Sequence, residues 1–299
     1  MKRIIAIFLL AFLVLSIASC DSADAGGKAK IIATNFPAYD FARAVAGDAA
    51  DVMMLLPTGA DLHAYEPTAK DMIEIAECDL FVYVGGESDK WIEDVLSSLS
   101  KPVNTLKMID AADKLHLHDH DGEEEYDEHV WTSPENAIKI CTLIADALSS
   151  ADPDNAEAYK ANAVEYTDKI AALDAEFEAF FATLQNKTLV FGDRFPFAHF
   201  AHEYRLEYLS PFPGCGEETE PSMAEVARII DFVKNEQIST VYHIEFSSLE
   251  TAKAISEATG ADIALLHSCH SVSAEELSSG ATYLSLMKAN LETLKGTMK

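Results

Sequence analysis

Four of the chain's ten histidines fall between Leu115 and Trp131, in LHLHDHDGEEEYDEHVW. His116, His118 and His120 alternate with leucine and acid, and His129 follows a run of carboxylates. Imidazole with carboxylate suits borderline divalent cations, zinc above all, and an acidic loop raises the local cation concentration. An acidic run alone reads as a solvated charged segment. The alternating imidazoles make metal contact the better reading. A fifth histidine, His63, stands in the middle of another loop, PTGADLHAYEPT, residues 57–68.

The elements that position these loops alternate between two periods. KIIAT (30–34), DVMMLLP (51–57), DLFVYVGG (79–86) and PVNTL (102–106) read as strands. Between them lie the amphipathic stretches 36–47, 68–78 and 88–99. That alternation predicts a parallel sheet with helices on its faces, whose ligand loops gather at the carboxyl ends of the strands. Both His63 and His129 then leave the same sheet edge. Ser133 followed by Pro134 starts a helix, and Asp152-Pro153 starts another that runs without Gly or Pro to Gln185. About 32 residues at about 1.5 Å each give roughly 48 Å, enough to join two lobes as a stiff strut. After it the alternation resumes with KTLVFG (187–192), RLEYLSPF (205–212), STVYHIEF (239–246) and ADIALLH (261–267). A final helix runs from Gly280 to about Lys295. There is no linear repeat, but the halves echo each other in element order. The fold class is therefore α/β: two lobes, each with a mostly parallel sheet flanked by helices, joined by one long backbone helix.

Composition narrows the function. The net charge is −28, and removal of residues 1–19 takes away Lys2 and Arg3 and no acid, leaving −30. Such a chain repels nucleic acid and anionic membrane surfaces and favours cations. Lys2-Arg3 followed by the apolar run Ile4–Leu15 reads as an export signal, too short to span a bilayer comfortably. Ile17-Ala18-Ser19-Cys20 resembles a lipobox, which makes Cys20 the lipidated first residue, with a polar tether behind it. Cys78 and Cys141 sit in apolar patterns and read as buried thiols. Cys215 and Cys269 lie in turn-like segments. An oxidising compartment permits a bridge between them, and the competing reading makes Cys269 a thiolate ligand. A zinc hydrolase is disfavoured: His202-Glu203-Tyr204-Arg205-Leu206 lacks the second His of HExxH, and neither G-x-S-x-G nor a P-loop is present.

The P-x-G-x-D-x-H-x-Y-E-P-T loop, the E-H-V-W-x-S-P segment, the His/acid loop between them, the lipobox and the closing ATYLSLMKANLETL resemble the cluster A-I metal-binding lipoproteins of bacterial zinc and manganese ABC importers. The resemblance covers essentially the whole mature chain. It implies that His63 and His129 are ligands. In the second lobe the chain departs from the family pattern. Many relatives place a ligand His or Glu after the strand that follows the long helix. Here that place reads FGDRFPFAH, with Asp193 and His199 as candidates. The usual last ligand, an Asp after the final strand, is replaced by LHSCH, so His267 takes its position and His270 follows within a turn. Two histidines three apart can face one ion. His267 is the expected ligand, with His270 the leading fourth and Glu245 placed to support a histidine N–H.

The expectation is an extracytoplasmic, lipid-anchored, monomeric zinc-binding protein that delivers its ion to the membrane permease of an ABC importer. It is not an enzyme and has no nucleic-acid partner. An imidazole-rich site favours Zn2+ over Mn2+. The alternatives are a manganese-importer binding protein, a surface adhesin or a metal-buffering lipoprotein. The expected organisation is a signal peptide 1–19, a tether 20–29, an N-terminal lobe 30–150 carrying the His/acid-rich loop 110–129, a connecting helix 151–185 and a C-terminal lobe 186–299.

Overall fold

In the N-terminal half, apolar runs make the strands of a parallel sheet. These are β1 (Ala29–Ala33), β2 (Ala50–Met54), β3 (Leu80–Tyr83) and β4 (Thr105–Lys107). The central two, β1 and β3, are almost wholly buried on both faces. The computed structural model describes residues 27–60, 63, 65–113, 115–117, 125–212 and 221–298. The proposed signal peptide, Cys20, His118, His120 and Cys215 lie outside them.

All pairings in this sheet are parallel, in the order β2-β1-β3-β4. Helix α1 (Phe36–Ala46) starts where the Asn35 side chain accepts from the Ala38 N–H, with Pro37 in the first turn. It stops at Gly47, whose φ of 54° a side chain would strain. Helices α2 (Ala69–Ala76) and α3 (Lys90–Ser98) complete the crossovers. Past β4 the chain makes a two-stranded antiparallel ribbon, β5 (His116–Leu117) with β6 (Glu125–Tyr126), so the His/acid segment leaves and returns at one point just before His129.

Helix α4 (Pro134–Ala151) is capped by Ser133, as its sequence predicts, and a 3-10 turn at Pro153–Asn155 separates it from α5 (Ala156–Ala182). At 27 residues α5 is roughly 40 Å long. It buries Tyr159, Ala163, Tyr166, Ile170, Leu173, Phe177 and Phe181 at steps of three and four, the stripe of a core-facing helix. The apolar cluster it lines runs without a break from β1 through α5 into the C-terminal half, so the two lobes share one core.

The second half contains β7 (Thr188–Val190), α6 (Ala198–Tyr204), β8 (Glu207–Leu209), α7 (Met223–Asn235), β9 (Thr240–His243), α8 (Glu250–Thr259) and β10 (Asp262–Leu265). The short α9 (Ala274–Ser278), which periodicity does not reveal, follows, and α10 (Tyr283–Thr297) ends the chain. β7 pairs with β8 and β9 with β10, all parallel. A parallel bridge between Phe191 and Tyr242 joins the pairs into the order β8-β7-β9-β10. This repeats the 2-1-3-4 order of the first sheet, so the echo between halves is one of topology.

Asp40 ties the helical layer together. Its buried carboxylate accepts from the Tyr166 hydroxyl of α5 (2.7 Å) and the Tyr283 N–H of α10 (2.9 Å), and pairs with Arg43. Among the described residues no helix is long and apolar enough to cross a membrane.

Candidate metal centre

Three loops, each following the carboxyl end of a strand, converge between the lobes. The loop after β2 carries His63, the segment after β6 carries His129, and the turn after β10 carries His270. One ligand atom from each of these rings lies within 4.8 Å of the other two, the one such group among the described residues. Ring centroids are 5.9 Å apart for His63 and His129, 5.1 Å for His63 and His270, and 5.2 Å for His129 and His270. Trp131 stands 5.3 Å from His129 and 5.4 Å from His270, walling the group on one side.

Each N-terminal-lobe imidazole is oriented by an acid. His63 Nδ1 is 2.6 Å from Ser88 Oγ, and Ser88 in turn donates its hydroxyl to Glu128. Glu128 also accepts the Ser88 N–H. Gly86 makes room for this carboxylate, since a Cβ there would come within 2.1 Å of Glu128 Oε2. His129 Nδ1 lies 3.4 Å from Asp127, whose carboxylate also accepts the His129 N–H. With Nδ1 engaged by Ser88 in one ring and by Asp127 in the other, the natural metal-binding atom of each ring is Nε2. Burial works to raise the Asp127 pKa, but His129 and His199 beside it outweigh that and hold it below the usual carboxylate range.

His270 is buried, and its Nε2 has no hydrogen-bond partner among the described residues. Burial, then the neighbouring His129 and His63, push its pKa well below that of an ordinary histidine. The ring is therefore a neutral imidazole near pH 7, the form that binds a metal.

The other expected ligands lie outside this group. His267 is buried one turn back, where its Nδ1 accepts the Cys269 N–H at 2.9 Å and its Nε2 lies 3.6 Å from Glu276. Asn290 brackets the His267 backbone, donating to its carbonyl and accepting from its N–H. His267, the residue in line with the family's last ligand, thus spends its Nδ1 on closing the turn. The ring that joins His63 and His129 is that of His270, three residues later. His199, on α6, places Nε2 3.1 Å from the Asp127 carbonyl and Nδ1 3.3 Å from the Asn136 amide, which uses both nitrogens. Asp193 accepts the N–H groups of Arg194 and Ile244 and joins the start of one loop to the end of β9. Cys269 is a buried free thiol outside the imidazole group, and burial raises its pKa well above the usual value; its proposed partner Cys215 lies outside the described residues. Sequence reasoning passed over Ser88, Asp127 and Glu128. The last two stand beside His129 in the same motif, but nothing in their spacing says which ring each acid faces.

Two parallel-sheet lobes around one long helix, with imidazoles from both meeting between them, define a metal-binding solute-binding protein of the two-lobe type. The family model described as "zinc-uptake complex component A periplasmic" (ZnuA) matches residues 31–297, and the chain belongs to that family. It is 34% identical to the zinc-binding lipoprotein AdcA of Streptococcus pneumoniae over 99% of this chain and 61% of that protein. The zinc-bound ZnuA-like domain of the same AdcA superposes with a TM-score of 0.77, at 34% identity over 91% of this chain and 99% of that one. The high-affinity zinc uptake protein ZnuA of Bacillus subtilis is 31% identical, over 99% of this chain and 98% of its own length. The laminin-binding protein Lmb of Streptococcus agalactiae, described as both adhesin and metal transporter, superposes with a TM-score of 0.81 at 28% identity, over 91% of this chain and 100% of that one. The chain spans about 60% of the length of the AdcA proteins it matches.

Proposed function

We propose that the protein captures zinc outside the cytoplasm and hands it to the membrane permease of an ABC importer, acting as a carrier and not as an enzyme. The observation that carries this reading is the meeting of His63 and His129 from one lobe with His270 from the other. Neutral nitrogen donors with no carboxylate among them favour zinc over manganese, which prefers oxygen. His63, His129 and His270 are the proposed ligands. His267 and His199 hold the surrounding loops.

The signal peptide 1–19, lipid attachment at Cys20 and a monomeric state complete the proposal. So does a division into lobes 30–150 and 186–299 about a connecting helix 151–185. The shared core under α5 supports a limited rocking of the lobes, so release is expected to need docking on the permease. His116, His118 and His120 would act as an accessory collector at the doorway of the site.

The test is calorimetric titration of the chain lacking residues 1–20 with zinc. One tight event that His63→Ala, His129→Ala and His270→Ala each weaken by at least about 100-fold is expected. Any weaker second event should vanish when His116, His118 and His120 are replaced together. A tight event that survives all three ligand substitutions would overturn the assignment. A deletion strain that imports zinc normally would overturn the transport role.

A further inference from the structure

Glu245 follows β9, and its partly buried carboxylate makes its hydrogen bonds to the turn that carries His270. Its Oε2 accepts the Ser268 N–H at 2.7 Å, and its Oε1 accepts the Ser268 hydroxyl at 2.6 Å and the His270 N–H at 3.1 Å. The Ser268 hydroxyl oxygen is also 3.2 Å from the His270 nitrogen, so backbone and side chain of the turn close on one acid. The expectation of a hydrogen bond to a histidine ring is not what this residue does first: its distance to His267 Nδ1 is 3.7 Å.

The turn needs such a hold. Cys269 sits in the left-handed region at φ 61° without being glycine, a strained conformation that persists only where its surroundings over-determine it. Charge-assisted bonds to a carboxylate are the strong kind, and here they fall on both sides of the strained residue. From the other lobe, the Trp131 indole N–H reaches the Ser268 carbonyl at 2.9 Å. Ser268 is thus gripped by Glu245 from its own lobe and by Trp131 from the opposite one, two residues before the imidazole that completes the cluster.

We infer that Glu245 is the positioning residue of the metal site: by clamping Ser268 and the His270 N–H, it holds the His270 ring where His63 and His129 can share an ion with it. This rests on the zinc-capture reading and specifies how the second lobe's ligand is set. A residue that fixes its neighbour's geometry should lower affinity only through that neighbour.

The experiment is a double-mutant cycle read as zinc affinity against a chromophoric chelator. Glu245→Gln keeps the shape but replaces one acceptor oxygen with a donor, and should weaken zinc binding by about 10- to 100-fold. In the His270→Ala background the same change should add less than about twofold, because the ring it positions is gone. Cobalt(II) bound in place of zinc should show ligand-field bands that shift in position and intensity in Glu245→Gln while His270 is still present. Ser268→Ala deletes one of the three bonds, leaves the charge, and should give a smaller loss that also disappears without His270. It carries the same comparison if Glu245→Gln does not fold. Equal losses in both backgrounds, or no loss at all, would overturn the inference. Binding that requires His63 and His129 but ignores Glu245 overturns this inference alone. A wild-type chain indifferent to zinc overturns the capture reading as well.

Discussion

Trp131 donates its indole N–H to the backbone carbonyl of Ser268 at 2.9 Å, across 137 positions of sequence and from one lobe to the other. Each partner stands two residues from an imidazole of the cluster, His129 on one side and His270 on the other. The contact therefore sets the distance between imidazoles of opposite lobes. Trp131→Phe keeps the aromatic wall and leaves a buried carbonyl without its donor, which costs about 1–3 kcal/mol. The expected result is a lower denaturation midpoint in the metal-free protein and faster zinc dissociation in a stopped-flow chelator chase. Unchanged dissociation would show that the lobes are registered by other contacts.

His267 and His199 are the residues on which sequence position and geometry part company. His267→Ala leaves the Cys269 N–H unpaired in the interior, and His199→Ala strips partners from the Asp127 carbonyl and Asn136. Both should lose about 1–3 kcal/mol of stability while changing zinc affinity by less than about tenfold. Chemical denaturation and zinc titration on the same preparations separate the two effects. A loss of affinity for His267→Ala as large as for His270→Ala would restore His267 as a ligand.

Protons compete with zinc for imidazole, so affinity should fall as the pH is lowered. His270 contributes least to that fall, because burial and its two histidine neighbours hold its pKa well below the ordinary histidine value. Its depressed pKa means it has no proton to give up on binding at mildly acid pH. Calorimetry at pH 5.5 in buffers of different ionisation enthalpy should therefore find about two protons or fewer released per zinc. Three would mean that His270 titrates like an exposed ring.

Glu203, the acid of the incomplete HExxH-like run, is pushed up to about 7 by burial, its Oε2 having no hydrogen-bond partner among the described residues. A raised carboxyl binds a proton in the folded state that the unfolded state has already lost. Stability therefore falls as pH rises from about 4.5, the ordinary glutamate range, to about 7. Glu203→Gln removes that dependence. It should be close to neutral in urea denaturation at pH 4.5 and stabilising, by a few kcal/mol at most, at pH 8. A difference that does not change with pH would show that Glu203 is ionised throughout.

Much of this molecule could be read without coordinates because its signals are local. Apolar runs of strand length, the Ser133-Pro134 cap and the 3–4 stripe of α5 each depend only on neighbours in the chain, and each appears close to where its pattern places it, with α5 shortened to Ala156–Ala182 by the 3-10 turn before it. His63 and His129 were singled out for the same reason, since each lies in a short motif that stiffens the loop around it. The second lobe's contribution to the cluster is not legible in that way. His267 and His270 differ by one turn of backbone, and which of them joins the other two imidazoles depends on a left-handed Cys269, on Asn290 from the last helix and on Glu245 from the segment after β9. Those contacts close over 20 or more residues of sequence, where spacing carries no record of direction. Local pattern thus determined the elements, their order and the kind of chemistry. Only tertiary packing decided which imidazoles share a point in space, because that choice rests on hydrogen bonds between segments that meet only after the chain has folded.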